Sequence, residues 1–206
     1  MPSYKLTYFN IRWYGEGARL LFNYAGVPFE DIRISNEQWF QLKPKMPYGQ
    51  VPVLEVDGHM IAQSAAIYRY LGHQFNLAPK SPIDDANVDA VYDSHKDFHA
   101  EIKPFIACAA GFAPGDKKKL EKEVVCPARD KYFGYLKRLL SKTDGTHLIG
   151  DQVYWADIVI ADNLSVINFM VPSLFESHSE VKKFVDYIHQ LPKLQKYLKE
   201  RPESQF

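Results

Sequence analysis

A proline at the threshold of a strand is the first chemically suggestive residue of this sequence. In Gly49-Gln50-Val51-Pro52-Val53-Leu54-Glu55-Val56, Pro52 cannot donate a ladder hydrogen bond, so it belongs at the first residue of a strand or on an edge. A cis Val51–Pro52 peptide would turn backbone N–H and C=O groups outward, toward an extended peptide ligand. A trans peptide would simply begin the strand, and trans is the common case. Tyr8 closes an alternating segment and reads, alone, as a half-buried strand aromatic with a phenol to donate. Trp39 and Lys43 stand four apart on one face of a short polar stretch. Asp93, Asp97 and Glu101 repeat at the same spacing; like charges so placed cost a few tenths of a kcal/mol each, so the stripe is not there for helix stability. The two cysteines, Cys108 and Cys126, form no C-x-x-C pair, which excludes a zinc ribbon and a thioredoxin-type dithiol.

The elements that must position these residues change character near residue 80. Tyr4 to Phe9 alternates as a strand, and Gly17 to Tyr24 carries a helical stripe through Ala18, Leu21, Phe22 and Ala25. Phe29 to Ile34 alternates again, and a helix is predicted over Asn36 to Lys43. Gln50 to Ile61 reads as strand, Asp57-Gly58 turn and strand. Gln63-Ser64 opens a helix with Ala66, Ile67, Tyr70 and Leu71 on one side. The order β-α-β-α-β-β-α predicts an open α/β sheet with mixed strand directions. Beyond Pro79-Lys80-Ser81-Pro82 the period is helical only. Val88, Val91, Tyr92, His95, Phe98, Ile102 and Phe105 form one long stripe. A second helix is predicted from Asp116 to Ser141, interrupted at Pro127, and others over Ala156 to Val171, Ser179 to Gln190 and Pro192 to Glu200. The domains expected are therefore residues 1–78, α/β, and 83–206, all helical.

Composition narrows the function classes. Lys plus Arg and Asp plus Glu each number 25 among 206 residues, so the net charge is zero and no broad basic surface is available to capture nucleic acid. No stretch approaches 18 uninterrupted apolar residues, and the N-terminus lacks an apolar signal core, so the expectation is a cytoplasmic protein without a membrane span. Aromatic residues make up 14% of the chain, enough for an aromatic-lined pocket, a large interface, or both.

The element order, with proline at the third strand and an all-helical second half, resembles the cytosolic glutathione transferases over the whole chain. The likeness is closest to the sigma class, which includes haematopoietic prostaglandin D synthases. It is carried by Tyr4-Lys5-Leu6-Thr7-Tyr8-Phe9-Asn10-x-Arg12, Pro47-Tyr48-Gly49-Gln50-Val51-Pro52-Val53-Leu54, Gln63-Ser64-x-Ala66-Ile67 and Gly150-Asp151-x-x-x-x-Ala156-Asp157. The resemblance implies a thioredoxin-like N-terminal domain, an all-α C-terminal domain, and glutathione as co-substrate with no metal. It makes Tyr8 the hydroxyl that hydrogen-bonds the glutathione sulfur. A thiol of pKa near 8.5 needs such a donor, and a hydrogen bond to a charged group, worth roughly 1.5–3 kcal/mol, lowers it by about one to two units. It places Gln63, Ser64 and the helix N-terminus at the γ-glutamyl carboxylate, the Val51–Pro52 backbone at the cysteinyl unit, and Trp39, Lys43 and Gln50 at the glycyl end. It also implies a homodimer in which Asp97 reaches the partner's γ-glutamyl ammonium. Phe9, Trp13, Tyr14, His99 and Phe206 are expected at a pocket for hydrophobic electrophiles between the two domains.

The function so implied is conjugation of glutathione to hydrophobic electrophiles, a detoxification chemistry. The alternatives are a non-catalytic ligandin, haem-binding or crystallin-like protein of the same fold, and a glutathione-dependent isomerase such as a prostaglandin D synthase. Thiol–disulfide exchange is disfavoured, since residues 1–78 contain no cysteine. Two departures stand out. Arg12-Trp13-Tyr14-Gly15-Glu16 places a phenol at Tyr14 where the family carries a second arginine, so activation is expected to be weaker or to rest on Tyr8 alone. Tyr154 stands where the family places a Ser or Thr N-cap, so Tyr154→Thr is expected to raise the unfolding midpoint.

Overall fold

The computed structural model describes residues 2–204. They divide into two compact units: one takes in the chain up to Ala78 and again from His189, the other is Pro79–Ile188. The last helix of the chain, within the 83–206 segment expected to be helical, packs on the first helix of the α/β unit and clusters with it.

In the first unit the four strands are β1 (Tyr4–Phe9), β2 (Glu30–Ile34), β3 (Val53–Val56) and β4 (His59–Ala62), in the order β2-β1-β3-β4. β1 and β2 run parallel, and the other pairs antiparallel. The β3–β4 hairpin turns through Asp57 (φ 48°) and Gly58 (φ 86°), both left-handed as a type I′ turn requires. The helices are α1 (Trp13–Ala25), α2 (Asn36–Leu42) and α3 (Ser64–Gln74), joined late in the chain by α9 (Pro192–Glu200). Leu6, Leu54, Leu21, Phe22, Ile67, Tyr68 and Leu71 are sequestered between the sheet and its helices. α1 begins four residues earlier than the apolar stripe predicts and buries two charged residues, Glu16 and Arg19, within it.

The second unit is helical: α4 (Pro82–Ala109), α5 (Lys117–Leu120), α6 (Cys126–Leu140), α7 (Trp155–Met170) and α8 (Ser179–His189, whose last residue falls in the other unit). Every member of the α4 stripe from Val88 to Phe105 is buried. The break expected at Pro127 takes the form of a π-helical segment, Glu121–Val125, after which Pro127 occupies the first turn of α6, where its missing N–H costs nothing. Among the described residues no helix is long and apolar enough to cross a membrane.

As the sequence predicts, Tyr154 makes no side-chain cap; Asp157 accepts N–H bonds from Tyr154 and Leu148, each at 2.8 Å. The Tyr154 ring is 8% exposed and packs on the left-handed Gly150 (φ 69°), in a small apolar hollow with Val88, Val91 and Leu148. Its packing replaces the missing cap.

Candidate active site

Strand register gathers the chemistry at one end of the sheet. Thr7 opposes Val53, Val53 opposes Ala62, and Phe9 aligns with Ile34. The residues just beyond these pairs therefore lie together: Tyr8 and Phe9 at the end of β1, Val51–Pro52 before β3, Gln63–Ser64 after β4, and the Ser35-capped α2 after β2. The Val51–Pro52 peptide is cis, and because β3 begins at Val53, Val51 stands outside the ladder. Gln63 holds a left-handed φ of 70°, an uncommon state for a residue other than glycine, and its side-chain amide donates to Gln50 Oε1 at 3.1 Å. The first bond inside α3 runs from Ile67 N–H to Gln63 C=O, so the N–H groups of the first turn lack intrahelical acceptors and point to where an anion would sit. Phe9 links two further rings edge-on, Tyr8 at 5.7 Å and Trp39 at 5.8 Å between centroids. Lys43 caps α2 by donating its N–H to the Trp39 carbonyl, which sets the two residues one turn apart; its side chain is exposed.

Tyr8 is only 4% exposed. Burial pushes its phenol above the ordinary range, while a hydrogen bond from the Tyr14 backbone and the Arg19 guanidinium pull the other way. The hydroxyl stays protonated at neutral pH, which makes Tyr8 a donor rather than a base. Its ring lies against the backbone of Gly15. A Cβ added there would fall 2.5 Å from Tyr8 Cγ and 2.9 Å from its Cβ, so only glycine admits the ring.

Sequence reasoning missed the residues that hold this loop. Arg19, fully buried, donates to the carbonyls of Phe9 (3.1 Å) and Ile11 (2.7 Å) and bonds both oxygens of Asp31 (3.0 and 3.1 Å). It also meets Glu16, itself 1% exposed, at 3.3 Å, and lies 5.8 Å from the centre of the Tyr8 ring. Arg33 joins from the far side of Asp31 at 2.8 Å, and Arg201 donates to Glu16 at 3.1 Å. The available signal was Arg19 three residues before Phe22, hence on the apolar face of its own helix.

Two family descriptions match this chain: the glutathione S-transferase N-terminal domain over residues 4–73 and the glutathione S-transferase C-terminal domain over residues 96–201. The chain belongs to the glutathione S-transferase family. Glutathione S-transferase 1 of Ascaris suum is 50% identical over 206 residues, covering 100% of both chains. A glutathione S-transferase of Necator americanus, described as monomeric, is 42% identical with a TM-score of 0.95, over 99% of this chain and 100% of that one. A Nu-class transferase of Haemonchus contortus is 41% identical with a TM-score of 0.91, over 100% of both.

Within this member of the family, the α/β unit brings together Tyr8, Trp39, Lys43, Gln50, Val51, Pro52, Gln63 and Ser64, with Phe9, Trp13 and Tyr14 around the end of β1. Trp13 and Tyr14 pack edge to face at 5.7 Å; Trp13 has a left-handed φ of 31°, and Tyr14 is 39% exposed. Two expected residues belong to the helical unit instead. Asp97 is exposed on α4, flanked by the ion pairs Asp93–Lys96 (3.6 Å) and Glu101–Lys131. Lys96 and Lys131 offset two of the three carboxylates in the acidic stripe. His99, expected at the electrophile pocket, is buried in the helical core 4.4 Å from the His95 ring, and burial lowers it to about 4. A neutral imidazole packed there is part of the core. Phe206 lies outside the described residues. Among the described residues no group of three or more His, Cys, Asp or Glu side chains could hold a metal ion.

Proposed function

We propose that this protein activates glutathione as a thiolate at Tyr8 and adds it to hydrophobic electrophiles. The observation that carries the reading is the convergence, at one end of the sheet, of a buried and protonated Tyr8 hydroxyl with the Val51–Pro52 turn and the open N-terminus of α3. An extended, anionic tripeptide matches that set. Its γ-glutamyl carboxylate meets the N–H groups of Ser64 and the residues after it, its cysteinyl unit meets Val51, and its glycyl carboxylate meets Lys43 and Trp39. The thiol then faces Tyr8, whose proton stays on the phenol and strengthens its hydrogen bond as the sulfur becomes anionic. The rings of Phe9, Trp13 and Tyr14 offer an apolar surface to the electrophile.

The deciding experiment is conjugation of glutathione to a chromogenic aryl halide by wild type and Tyr8→Phe. Loss of a hydrogen bond to a charged sulfur, about 1.5–3 kcal/mol, corresponds to roughly a 10- to 150-fold fall in kcat/KM at neutral pH, recovering as the thiol ionises unaided at high pH. Equal activity of the two at neutral pH refutes the role given to Tyr8. Binding of glutathione without turnover would turn the reading toward a ligandin.

The motifs around Tyr8, Pro52 and Ser64 support a sigma-like class and a detoxifying role, although the Haemonchus relative carries the Nu-class label. The exposure of Asp97 between two paired carboxylates supports a homodimer in which it receives the partner's γ-glutamyl ammonium. Because the Necator relative is described as monomeric, sedimentation comes first. In a dimer, Asp97→Ala should then weaken glutathione binding about tenfold, and unchanged affinity rejects the contact.

A further inference from the structure

The C-terminal segment meets a buried carboxylate of the α/β unit, Glu16. Arg201, just past α9, donates to Glu16 Oε1 at 3.1 Å, and the Tyr197 hydroxyl, one turn earlier, also hydrogen-bonds Glu16. Glu16 passes the contact to Arg19, and Arg19 holds the carbonyls of Phe9 and Ile11, the backbone that directly follows Tyr8. Glu16 also follows Gly15, the residue against which the Tyr8 ring rests. Asp31 and Arg33, both partly exposed, extend this chain of ion pairs from Arg19 toward the surface of the same unit.

We propose that Arg201 is a positioning residue for the reaction: through Glu16 and Arg19 it fixes the Tyr8 loop, so that the C-terminal segment helps determine how well Tyr8 stabilises the glutathione thiolate. This rests on the function proposed above. A lone Glu16–Arg19 pair would hold the loop with no positive charge in excess over that pair. With Arg201 attached, both oxygens of the nearly fully buried Glu16 are committed to guanidinium groups, and Arg19 keeps its other donors on Asp31 and on the Phe9 and Ile11 carbonyls. The charged and titratable groups facing this point are Glu16 and Arg19 on α1, Asp31 and Arg33 on β2, and Tyr197 and Arg201 at and after α9; Tyr14 and Arg19 act on Tyr8 itself.

The test is the pH dependence of kcat/KM for aryl halide conjugation in Arg201→Gln and Arg201→Lys. Arg201→Gln should move the midpoint of the ascending limb up by about half a unit, a roughly threefold loss near pH 6.5 that vanishes at pH 9, with the KM for glutathione held within twofold. Arg201→Lys keeps the charge but not the fork, and should shift the midpoint less and in the same direction; if Arg201→Gln does not fold, this variant carries the test. Lys193→Met, which loosens α9 where Lys193 sits 4.7 Å from the Tyr24 ring, should leave the midpoint in place. Unshifted midpoints in the folded Arg201 variants, or an equal shift in Lys193→Met, overturn the proposal. A double-mutant cycle separates it from the Tyr8 reading. If Tyr8→Phe alone is fully active, the reading of Tyr8 fails. If Tyr8→Phe is impaired and Arg201→Gln lowers its activity further by the wild-type factor, only the role of Arg201 fails.

Discussion

Gly15→Ala isolates the placement of Tyr8 from its chemistry. The added methyl would sit 2.5 Å from Tyr8 Cγ and 2.9 Å from its Cβ, where ordinary contact begins at 3.4 Å. The shortfall is about 0.9 Å at Cγ, and because Cβ is crowded too, rotation of the ring about χ1 does not relieve it. Either the β1 backbone or the first turn of α1 must give way, and both are tied to Arg19 through Phe9, Ile11 and Glu16. A misplacement of about 1 Å at a reacting group can cost on the order of a hundredfold in rate. Overpacking costs about 1–3 kcal/mol of stability, partly offset by the 0.5–1 kcal/mol that alanine gains over glycine inside a helix. The expected result is a large fall in kcat for aryl halide conjugation with a folded protein, a thermal midpoint lower by a few degrees, and glutathione still bound through the α3 N-terminus. A variant with wild-type kcat would show that the ring can retreat without cost, and the argument that Gly15 sets the position of Tyr8 would fall.

Tyr154→Thr should lower the unfolding midpoint, the reverse of what sequence alone suggests: deleting the packed ring costs about 2–4 kcal/mol and a new cap returns only about 0.5–2. A thermal scan decides, and a raised midpoint would mean that Tyr154 contributes little packing in the hollow it lines. Acid should weaken the protein through His99. Its folded pKa of about 4 lies below the usual 6.5, so the unfolded chain takes up the proton first, and stability falls as pH drops from about 6.5 toward 4, by about 3 kcal/mol in all. Asp157, raised by burial to about 7, acts with the opposite sign in the same window, so the measurement is the difference between wild type and His99→Leu in denaturant at pH 7.5 and 5; equal differences at the two values would refute it.

The fold was legible where local signals were unambiguous. Asp57-Gly58 between alternating segments announced the hairpin, Pro79 to Pro82 the change of period, and Ser179 and Pro192 the starts of α8 and α9 to the residue. What escaped were features that depend on distant partners. Nothing near Pro192 indicates that α9 packs on α1. Nothing local links Glu16 to Arg201, because the two partners lie 185 residues apart in the chain. Tyr154 looked like a failed cap because the cap position was judged by hydrogen bonding alone. Its buried ring contributes through area, which the local motif does not encode.

The departure at Tyr14 gains a different meaning from this geometry. With a second arginine at that position, an exposed guanidinium could face the sulfur directly. Tyr14 instead supplies its backbone to the Tyr8 hydroxyl, and its carbonyl is held by the Tyr68 hydroxyl at 2.5 Å, so residue 14 fixes the donor without adding charge. The guanidinium that acts on Tyr8 is that of Arg19, buried beneath the loop and shielded from salt. A surface arginine loses influence within a Debye length of about 8 Å at physiological ionic strength, whereas a desolvated one does not. Thiolate stabilisation by a buried guanidinium acting through the Tyr8 ring should therefore be weaker in absolute terms but nearly independent of ionic strength. The loss of the exposed arginine thus changes the kind of electrostatic support that Tyr8 receives and does not remove it.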